Sequence, residues 1–185
     1  MRNWIFVSVV LFFYGPVLSA QEVPARIATC AACHGAAGVS SHPQWPSLAG
    51  QKAGYLAIQI RAFRDGSRVN SLMAPMMVGI TDEEVLALAG YYAEQTPATA
   101  SSGNPDLVAA GENLSAYCKA CHGMQGKSVA LVWPNLAGQQ ADYLQQQLSA
   151  FKGGDRLNTN IHTVLAPFGE AEFAALAAYY SQLSP

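Results

Sequence analysis

Two short runs of the sequence combine cysteine and histidine at the same spacing. Cys30-Ala31-Ala32-Cys33-His34 is repeated 88 positions later as Cys118-Lys119-Ala120-Cys121-His122, and together the runs contain all four cysteines of the chain. In a Cys-x-x-Cys-His run the two thiols lie on one helical turn, where each can form a thioether to a haem vinyl group, and the next imidazole reaches the iron from the same side. Paired disulfides or a four-cysteine zinc site would leave the histidine after each pair without a role. The spacing therefore predicts two covalently bound haem c groups. They would be held by Cys30, Cys33, Cys118 and Cys121, with His34 and His122 as axial iron ligands.

The similarity between the two halves extends from the first motif to the end of the chain. A shift of 88 positions aligns them without a gap, and the matched pairs include Trp45 with Trp133, Gln51 with Gln139, Tyr55 with Tyr143, Arg68 with Arg156, and Tyr92 with Tyr180. So long a match indicates duplication of one small domain. The stretch between the copies is small, polar and rich in helix breakers. We therefore predict domain 1 over residues 21–97, a linker over 98–105 and domain 2 over 106–185.

Apolar residues recur at three- and four-residue spacing within each copy, which favours helices, and no run alternates as a strand would. Asp106 can cap a helix that leads into the second motif, and Thr81 with the acidic residues after it can cap the last helix of domain 1. Each copy has only about 80 residues, which is small for a self-sufficient core, and a haem would supply the missing apolar interior. The predicted fold is all-α, with two tandem small helical domains that each wrap around a covalent haem.

The first twenty residues have the features of a secretory signal peptide. Arg2 supplies a positive start, residues 4–14 are almost unbroken hydrophobic, and Leu18-Ser19-Ala20 is typical of a signal peptidase site. A retained membrane anchor is the alternative, but Gly15-Pro16 interrupts the apolar run, which is also shorter than the roughly 20 residues that a span needs. We therefore expect cleavage after residue 20 and a periplasmic protein, which agrees with haem attachment outside the bacterial cytoplasm.

These features resemble those of the dihaem cytochrome c4 family, in which two class I cytochrome c domains are fused. The resemblance covers nearly the whole chain after residue 20. It rests on the two motifs, a proline twelve residues after each histidine, and Met73, seven residues before the hydrophobic residue that precedes the last capped helix. It implies that the carbonyls of Pro46 and Pro134 accept a hydrogen bond from the axial imidazoles, although a proline after a bulky tryptophan would also serve as a rigid turn. It further implies that Met73 is the second axial ligand of the first haem, with Met76 and Met77 as packing residues.

The second copy departs from this pattern on the distal side of its haem. Ile161 stands where domain 1 has Met73, and its side chain cannot bind iron. Met124 lies only two residues beyond His122 and is too close in sequence to reach the far side. His162, next to the vacated position, can reach the iron after a one-residue shift of the loop. We therefore expect His122 and His162 to bind the second iron, and the alternative is a surface histidine beside an open sixth site.

The composition excludes an electrostatic nucleic-acid binder, because the formal net charge is −2 and no basic patch is present. We expect an exported cytochrome that transfers single electrons and has no substrate chemistry of its own. The resemblance implies two haems that face each other across the domain interface. It also implies electron transfer from a quinol-oxidising complex or periplasmic dehydrogenase to an acceptor such as a terminal oxidase. We expect the carrier to be a monomer that can associate peripherally with the membrane. Unlike axial ligands predict unequal potentials, with the second haem lower, so that electrons enter through domain 2.

Two alternatives to a free electron carrier stay open at this point. One is a haem enzyme, such as a peroxidase-like protein with an open second iron. The sequence shows no distal Arg/His pair and no further cysteine ligand, which argues against catalysis. The other is a dedicated electron-transfer subunit of a thiosulfate or alcohol dehydrogenase, which the low content of charged residues, 12%, would favour.

Overall fold

A computed structural model describes residues 22–185 of the chain, so the predicted signal peptide lies outside the described residues. The helices of the first half are α1 (Glu22–His34), α2 (Ala53–Arg64), α3 (Met73–Met76) and α4 (Asp82–Glu94), with a short 3-10 helix at Ala36–Gly38. Those of the second half are α5 (Val108–Leu114), α6 (Ala116–His122), α7 (Ala141–Gly153), α8 (Thr159–Leu165) and α9 (Glu170–Gln182), with a 3-10 helix at Pro105–Leu107. Residues 22–185 contain no strand, which confirms the predicted all-α fold. Within that range no helix has the length and apolar character needed to cross a membrane.

The second half repeats the first helix by helix. Helix α7 begins 88 positions after α2, and α9 begins 88 positions after α4. The main difference lies before the second motif, where Ser115 separates α5 from α6. Its hydroxyl is buried and donates to the carbonyl of Glu112 at 2.6 Å, a backbone contact that competes with regular helix geometry.

The last helix of each half begins at the predicted cap. The Thr81 hydroxyl accepts from the Glu84 backbone N–H at 3.2 Å, and the Glu84 carboxylate accepts from the Thr81 N–H at 2.9 Å, which completes a capping box at α4. In the second half Gly169 replaces the threonine and has no side chain to contribute. Only the reciprocal contact is present at α9, from the Gly169 N–H to the Glu172 carboxylate at 2.8 Å.

Each half has its own apolar core between its helices. In the first half the core lies between α2 and α4 and is built from Leu56, Met77, Ile80, Val85, Leu88 and Tyr92, among others. In the second half α7 and α9 enclose one cluster, and a second cluster lies beneath α8. Helix α5 crosses α9 at Gly111, where a Cβ atom would overlap the Ala175 carbonyl oxygen. This close crossing requires glycine at that position.

The two halves contact each other through equivalent loops. The Tyr55 N–H donates to the Leu131 carbonyl at 3.0 Å, and the Tyr143 N–H donates to the Pro43 carbonyl at 3.1 Å. Tyr55 and Tyr143 are repeat partners, and so are Pro43 and Leu131. The same contact is therefore made twice, as a pseudo-twofold arrangement of the halves requires.

Candidate haem sites

The two histidines of the motifs are held in the same way by the two prolines. His34 Nδ1 lies 2.9 Å from the Pro46 carbonyl oxygen, and His122 Nδ1 lies 2.9 Å from that of Pro134. A carbonyl can only accept, so Nδ1 carries the proton and Nε2 presents its lone pair, which is the tautomer that a metal needs. Burial lowers the pKa of both imidazoles against the opposing effect of the proline carbonyls, which favours the neutral rings. The hydrogen bonds expected for Pro46 and Pro134 are thus present.

A glycine directly after each histidine makes this geometry possible. Gly35 and Gly123 have φ angles of 81° and 80°, in the region that favours glycine. A Cβ atom would overlap the carbonyl oxygen of Val39 at the first position and that of Lys127 at the second. The chain therefore turns sharply out of α1 and α6, and this turn returns each proline to the imidazole twelve residues earlier.

The cysteines are free thiols on the last turns of α1 and α6. Cys30 and Cys118 are half-buried, whereas Cys33 and Cys121 are exposed. The structure therefore contains no disulfide between them, and residues 22–185 hold no cluster of three or more His, Cys, Asp or Glu side chains suited to a metal. Neither alternative to haem attachment, the disulfides or the four-cysteine zinc site, is formed.

A buried tyrosine hydroxyl without a partner lies deep in each half. Within the described part of the chain, the hydroxyls of Tyr92 and Tyr180 are the buried side-chain polar atoms that have no hydrogen-bond partner. Burial raises the pKa of both phenols, and the neighbouring Cys30 or Cys118 thiol adds to the effect. A buried hydroxyl without a hydrogen-bond partner costs free energy. Each core therefore has a polar group beside its attachment cysteine to which a bound group could supply the missing partner. Together with two free thiols and a ligand-competent imidazole, these donors fit a covalently bound haem.

Met73, the predicted second ligand of the first haem, opens helix α3. Its side chain is half-buried and packs against the same core that Cys30 borders. The Asn70 carboxamide oxygen accepts from the Met73 N–H at 2.9 Å and fixes the start of the helix. Met77 is buried in the core, as expected for a packing residue. Met76 does not pack in this way, because its side chain is 43% exposed.

At the corresponding place in the second half, the side chain packed against the core is that of Ile161. It contacts the cluster formed by Leu165, Phe168 and Phe173, which places it at the position equivalent to Met73. His162 is exposed, and its Nδ1 lies 3.1 Å from the Phe151 carbonyl oxygen. The predicted loop is a helix here, because Asn158 caps α8 by accepting from the Ile161 N–H at 3.1 Å. Iron ligation by His162 therefore requires α8 to shift.

The interface between the halves contains a polar cluster whose role the sequence did not reveal. It consists of three repeat pairs: Arg68 and Arg156, Gln59 and Gln147, and Tyr55 and Tyr143. The ion pairs found among residues 22–185 involve neither Arg68 nor Arg156, although Arg156 is only 9% exposed. Two positive charges therefore lie together with only neutral acceptors. The sequence did offer one indication of this cluster, because the same polar residue types occur at equivalent positions of both copies outside the motifs.

The comparisons with known proteins agree with this geometry. The family model described as "Cytochrome c" matches the chain twice, over residues 22–94 and 108–184. A cytochrome c4 of Thiocapsa roseopersicina is 39% identical over 170 residues, which cover 84% of this chain and 87% of that protein. A protein of Thiomonas intermedia described as a thiosulfate dehydrogenase electron acceptor is 35% identical over 192 residues, covering 95% of this chain and 88% of the relative.

The fold has a close counterpart among solved structures. The crystal structure of reduced recombinant cytochrome c4 from Pseudomonas stutzeri superposes with a TM-score of 0.82 at 29% identity, covering 90% of this chain and 99% of that one. Sequence, repeat and fold thus agree over both halves. The chain belongs to the dihaem cytochrome c4 family of electron-transfer proteins, with two covalently bound haem c groups.

Proposed function

We propose that the protein is an exported single-electron carrier in which each domain holds its haem by one Cys-x-x-Cys-His motif. Cys30 and Cys33 would form the thioethers of the first haem, and Cys118 and Cys121 those of the second. The observation that carries the proposal is the matched hydrogen bond from each motif histidine to its proline carbonyl, 2.9 Å in both domains. The bound haem supplies a one-electron Fe(III)/Fe(II) couple.

The protein's own residues would set the properties of that couple. The Pro46 carbonyl fixes the His34 ring and increases its basicity as a ligand, and Pro134 does the same for His122. Met73 would complete the first site from the opposite side. A thioether ligand raises the potential and leaves no open position for a substrate. These assignments favour electron transfer over catalysis at the first haem.

For the second haem we propose His162 as the sixth ligand, opposite His122. Support comes from its place next to Ile161, which occupies the ligand position but cannot bind iron. Its Nδ1 lies 3.1 Å from the Phe151 carbonyl oxygen, which leaves Nε2 as the ring nitrogen available to a metal. The two haems would then have unequal potentials, with the second the lower.

A second candidate is an open iron at the second haem, which would suit a catalytic or ligand-binding role. It is favoured by the exposed position of His162 and by the apolar packing of Ile161 in the structure. Cyanide added to the oxidised protein, or carbon monoxide added to the reduced protein, separates the two candidates. The carrier proposal predicts no rapid spectral change at either haem, whereas rapid binding at the second haem would support the open site.

The physiological donor would be a quinol-oxidising complex or a periplasmic dehydrogenase, and the acceptor a terminal oxidase or similar complex. The relative described as a thiosulfate dehydrogenase electron acceptor supports a dehydrogenase as donor. Export would follow from the apolar segment at residues 1–20, and the carrier would act as a monomer, with peripheral membrane association through its partners.

Attachment is tested by the haem content of cysteine variants. We expect the purified protein to carry two covalent haems per chain and Cys118→Ala/Cys121→Ala to carry one, as measured by the haemochrome absorbance per protein after acid–acetone extraction. Unchanged covalent haem in this double variant would refute the attachment assignment.

A further inference from the structure

The peptide that holds His34 is also bound by a glutamine from the other domain. The Pro46 carbonyl receives the hydrogen bond of His34 Nδ1, and the N–H of that same peptide unit, on Ser47, donates to Gln139 Oε1 at 2.8 Å. His34 is therefore connected to Gln139 through a single peptide group. Gln139 lies 92 positions further along the chain, in domain 2.

The reciprocal arrangement holds the second histidine. The Pro134 carbonyl receives the hydrogen bond of His122 Nδ1, and the N–H of the same peptide unit, on Asn135, donates to Gln51 Oε1 at 2.8 Å. Gln51 and Gln139 are repeat partners, and each is 7% exposed. The structure therefore contains two crossed connections, each from one domain's glutamine to the other domain's axial histidine.

Each glutamine amide is locked in its orientation. Gln139 Nε2 donates to the Ser47 carbonyl at 2.8 Å, and Gln51 Nε2 donates to the Asn135 carbonyl at 2.9 Å. Each amide oxygen also accepts the N–H of the residue that follows it, on Gln140 or Lys52. The reverse orientation would place an amide NH₂ group against two N–H donors, so the network assigns the oxygen to this side.

Hydrogen bonds at the two ends of a peptide group reinforce each other. When Gln139 Oε1 accepts from the Ser47 N–H, electron density moves toward the Pro46 carbonyl oxygen, which becomes the stronger acceptor. A stronger bond from Nδ1–H makes the imidazole a more basic ligand, and a more basic ligand stabilises the ferric state. The glutamine of one domain would thereby lower the potential of the haem in the other.

We propose that Gln139 is a positioning residue for the haem of domain 1 and that Gln51 is one for the haem of domain 2. The proposal rests on the proposed function, in which His34 and His122 are the axial ligands. Domain docking then contributes to both midpoint potentials, and separation of the domains would raise both. Substitution of one glutamine would change only the potential of the haem in the other domain.

The test is a redox titration of the holoprotein in which the two haems are followed separately by their methyl proton resonances. In Gln139→Leu we expect the midpoint potential of haem 1 to rise and that of haem 2 to stay at the wild-type value. Gln51→Leu should give the opposite pattern. Gln140→Leu is the matched control, because Gln140 is a buried neighbour that donates across the interface to the Ser40 carbonyl at 2.6 Å and contacts neither proline peptide with its side chain.

A shift confined to the haem of the substituted domain would overturn the proposal, and so would equal shifts at both haems that Gln140→Leu reproduces. Gln139→Asn retains a polar interface but withdraws the amide oxygen, and it should raise the haem 1 potential even if the leucine variant does not fold. The Nδ1–H proton resonance of His34 should shift in both Gln139 variants, and that of His122 should not. Loosened docking of the domains would instead shift the resonances of both histidines. His34→Gly tests ligation independently: an unchanged haem 1 spectrum there would refute the ligand assignment rather than the coupling.

Discussion

Arg68 and Arg156, which are repeat partners from the two domains, donate to the same oxygen atom, Gln59 Oε1, at 2.7 and 2.8 Å. Like charges that share one neutral acceptor repel each other, and the described residues offer neither of them a carboxylate partner. The domain interface therefore concentrates positive charge, and this charge disfavours oxidation of an iron in the same small protein.

Removal of one guanidinium should lower the haem potentials. In Arg156→Met the ferric state loses an unfavourable neighbouring charge. We expect the ferric state to be stabilised relative to the ferrous state by on the order of 1 kcal/mol. Arg156→Lys keeps the charge and should retain most of the wild-type potential. Titration of the three proteins measures the effect, and equal potentials in all of them would contradict this assignment of the cluster.

The crossing of α5 and α9 should not tolerate a side chain at Gly111. Because a Cβ atom there would overlap the Ala175 carbonyl oxygen, Gly111→Ala should lower the free energy of unfolding by about 3 kcal/mol. Gly90→Ala is the control, since Gly90 is also helical but no packing neighbour among residues 22–185 lies within 4 Å of its Cβ position. That variant should gain up to about 1 kcal/mol from helix propensity. Denaturant unfolding of the holoproteins measures both values, and equal effects at the two positions would count against the crossing geometry.

Glu84 should contribute stability that is lost in acid. Its carboxylate accepts from the Thr81 N–H and pairs with Arg26 at 3.0 Å, and these contacts lower its pKa against the opposing effect of burial. A depressed folded-state pKa gives stability that is present above the unfolded value and is lost as the pH falls through the folded value. Glu84→Gln should therefore cost about 1 kcal/mol near neutral pH and progressively less below about pH 4.5.

Glu83→Gln provides the control for this pH dependence, because Glu83 is exposed on the same helical turn. We expect its unfolding free energy to follow that of the wild type from neutral pH into the acidic range. A Glu84→Gln deficit that stays constant with pH would show that the charge of Glu84 is not the source of the stability.

Arg26 should hold the segment that carries Met73. Its guanidinium donates to the carbonyls of Met76 and Val78 at 3.4 Å, in addition to its bond with Glu84. The domain 2 residue at this position is Leu114, so Arg26→Leu converts one domain's sequence into the other's. We expect weaker iron–methionine ligation, seen as loss of the red charge-transfer band of the ferric protein and faster carbon monoxide binding to haem 1.

Arg64→Leu is suited as the control for that experiment. Arg64 pairs with Asp65 and Asp82 at the surface, and such pairs contribute little. This variant should keep the charge-transfer band. If Arg26→Leu also keeps it, the segment is held by its own helix and by Asn70 alone.

Much of the attachment geometry could be predicted from the sequence because it depends on local spacing. The motifs, the prolines twelve residues later and the Thr81 cap all act through contacts within one domain. Because the domain is duplicated, an inference about the motif and its proline in one domain also holds at the equivalent residues of the other.

The contacts across the interface could not be predicted in this way. Which loop faces Gln139 or Arg156 depends on domain docking, which no local spacing determines. The orientation of His162 was also beyond the sequence, because it depends on the register that the Asn158 cap gives to α8. A shift of one residue in this register exchanges Ile161 for His162 at the core.

The measurement that tests the central claim most directly is the low-temperature EPR spectrum of the oxidised protein, compared with those of Met73→Ala and His162→Ala. The claim is that two attachment sites of the same design differ on their distal sides, with Met73 at one iron and His162 at the other. We predict two distinct low-spin signals in the wild type, of which Met73→Ala changes only the first and His162→Ala only the second. A high-spin signal in the wild type, or a second signal that His162→Ala leaves unchanged, would contradict the assignment of His162 and favour the open site behind Ile161.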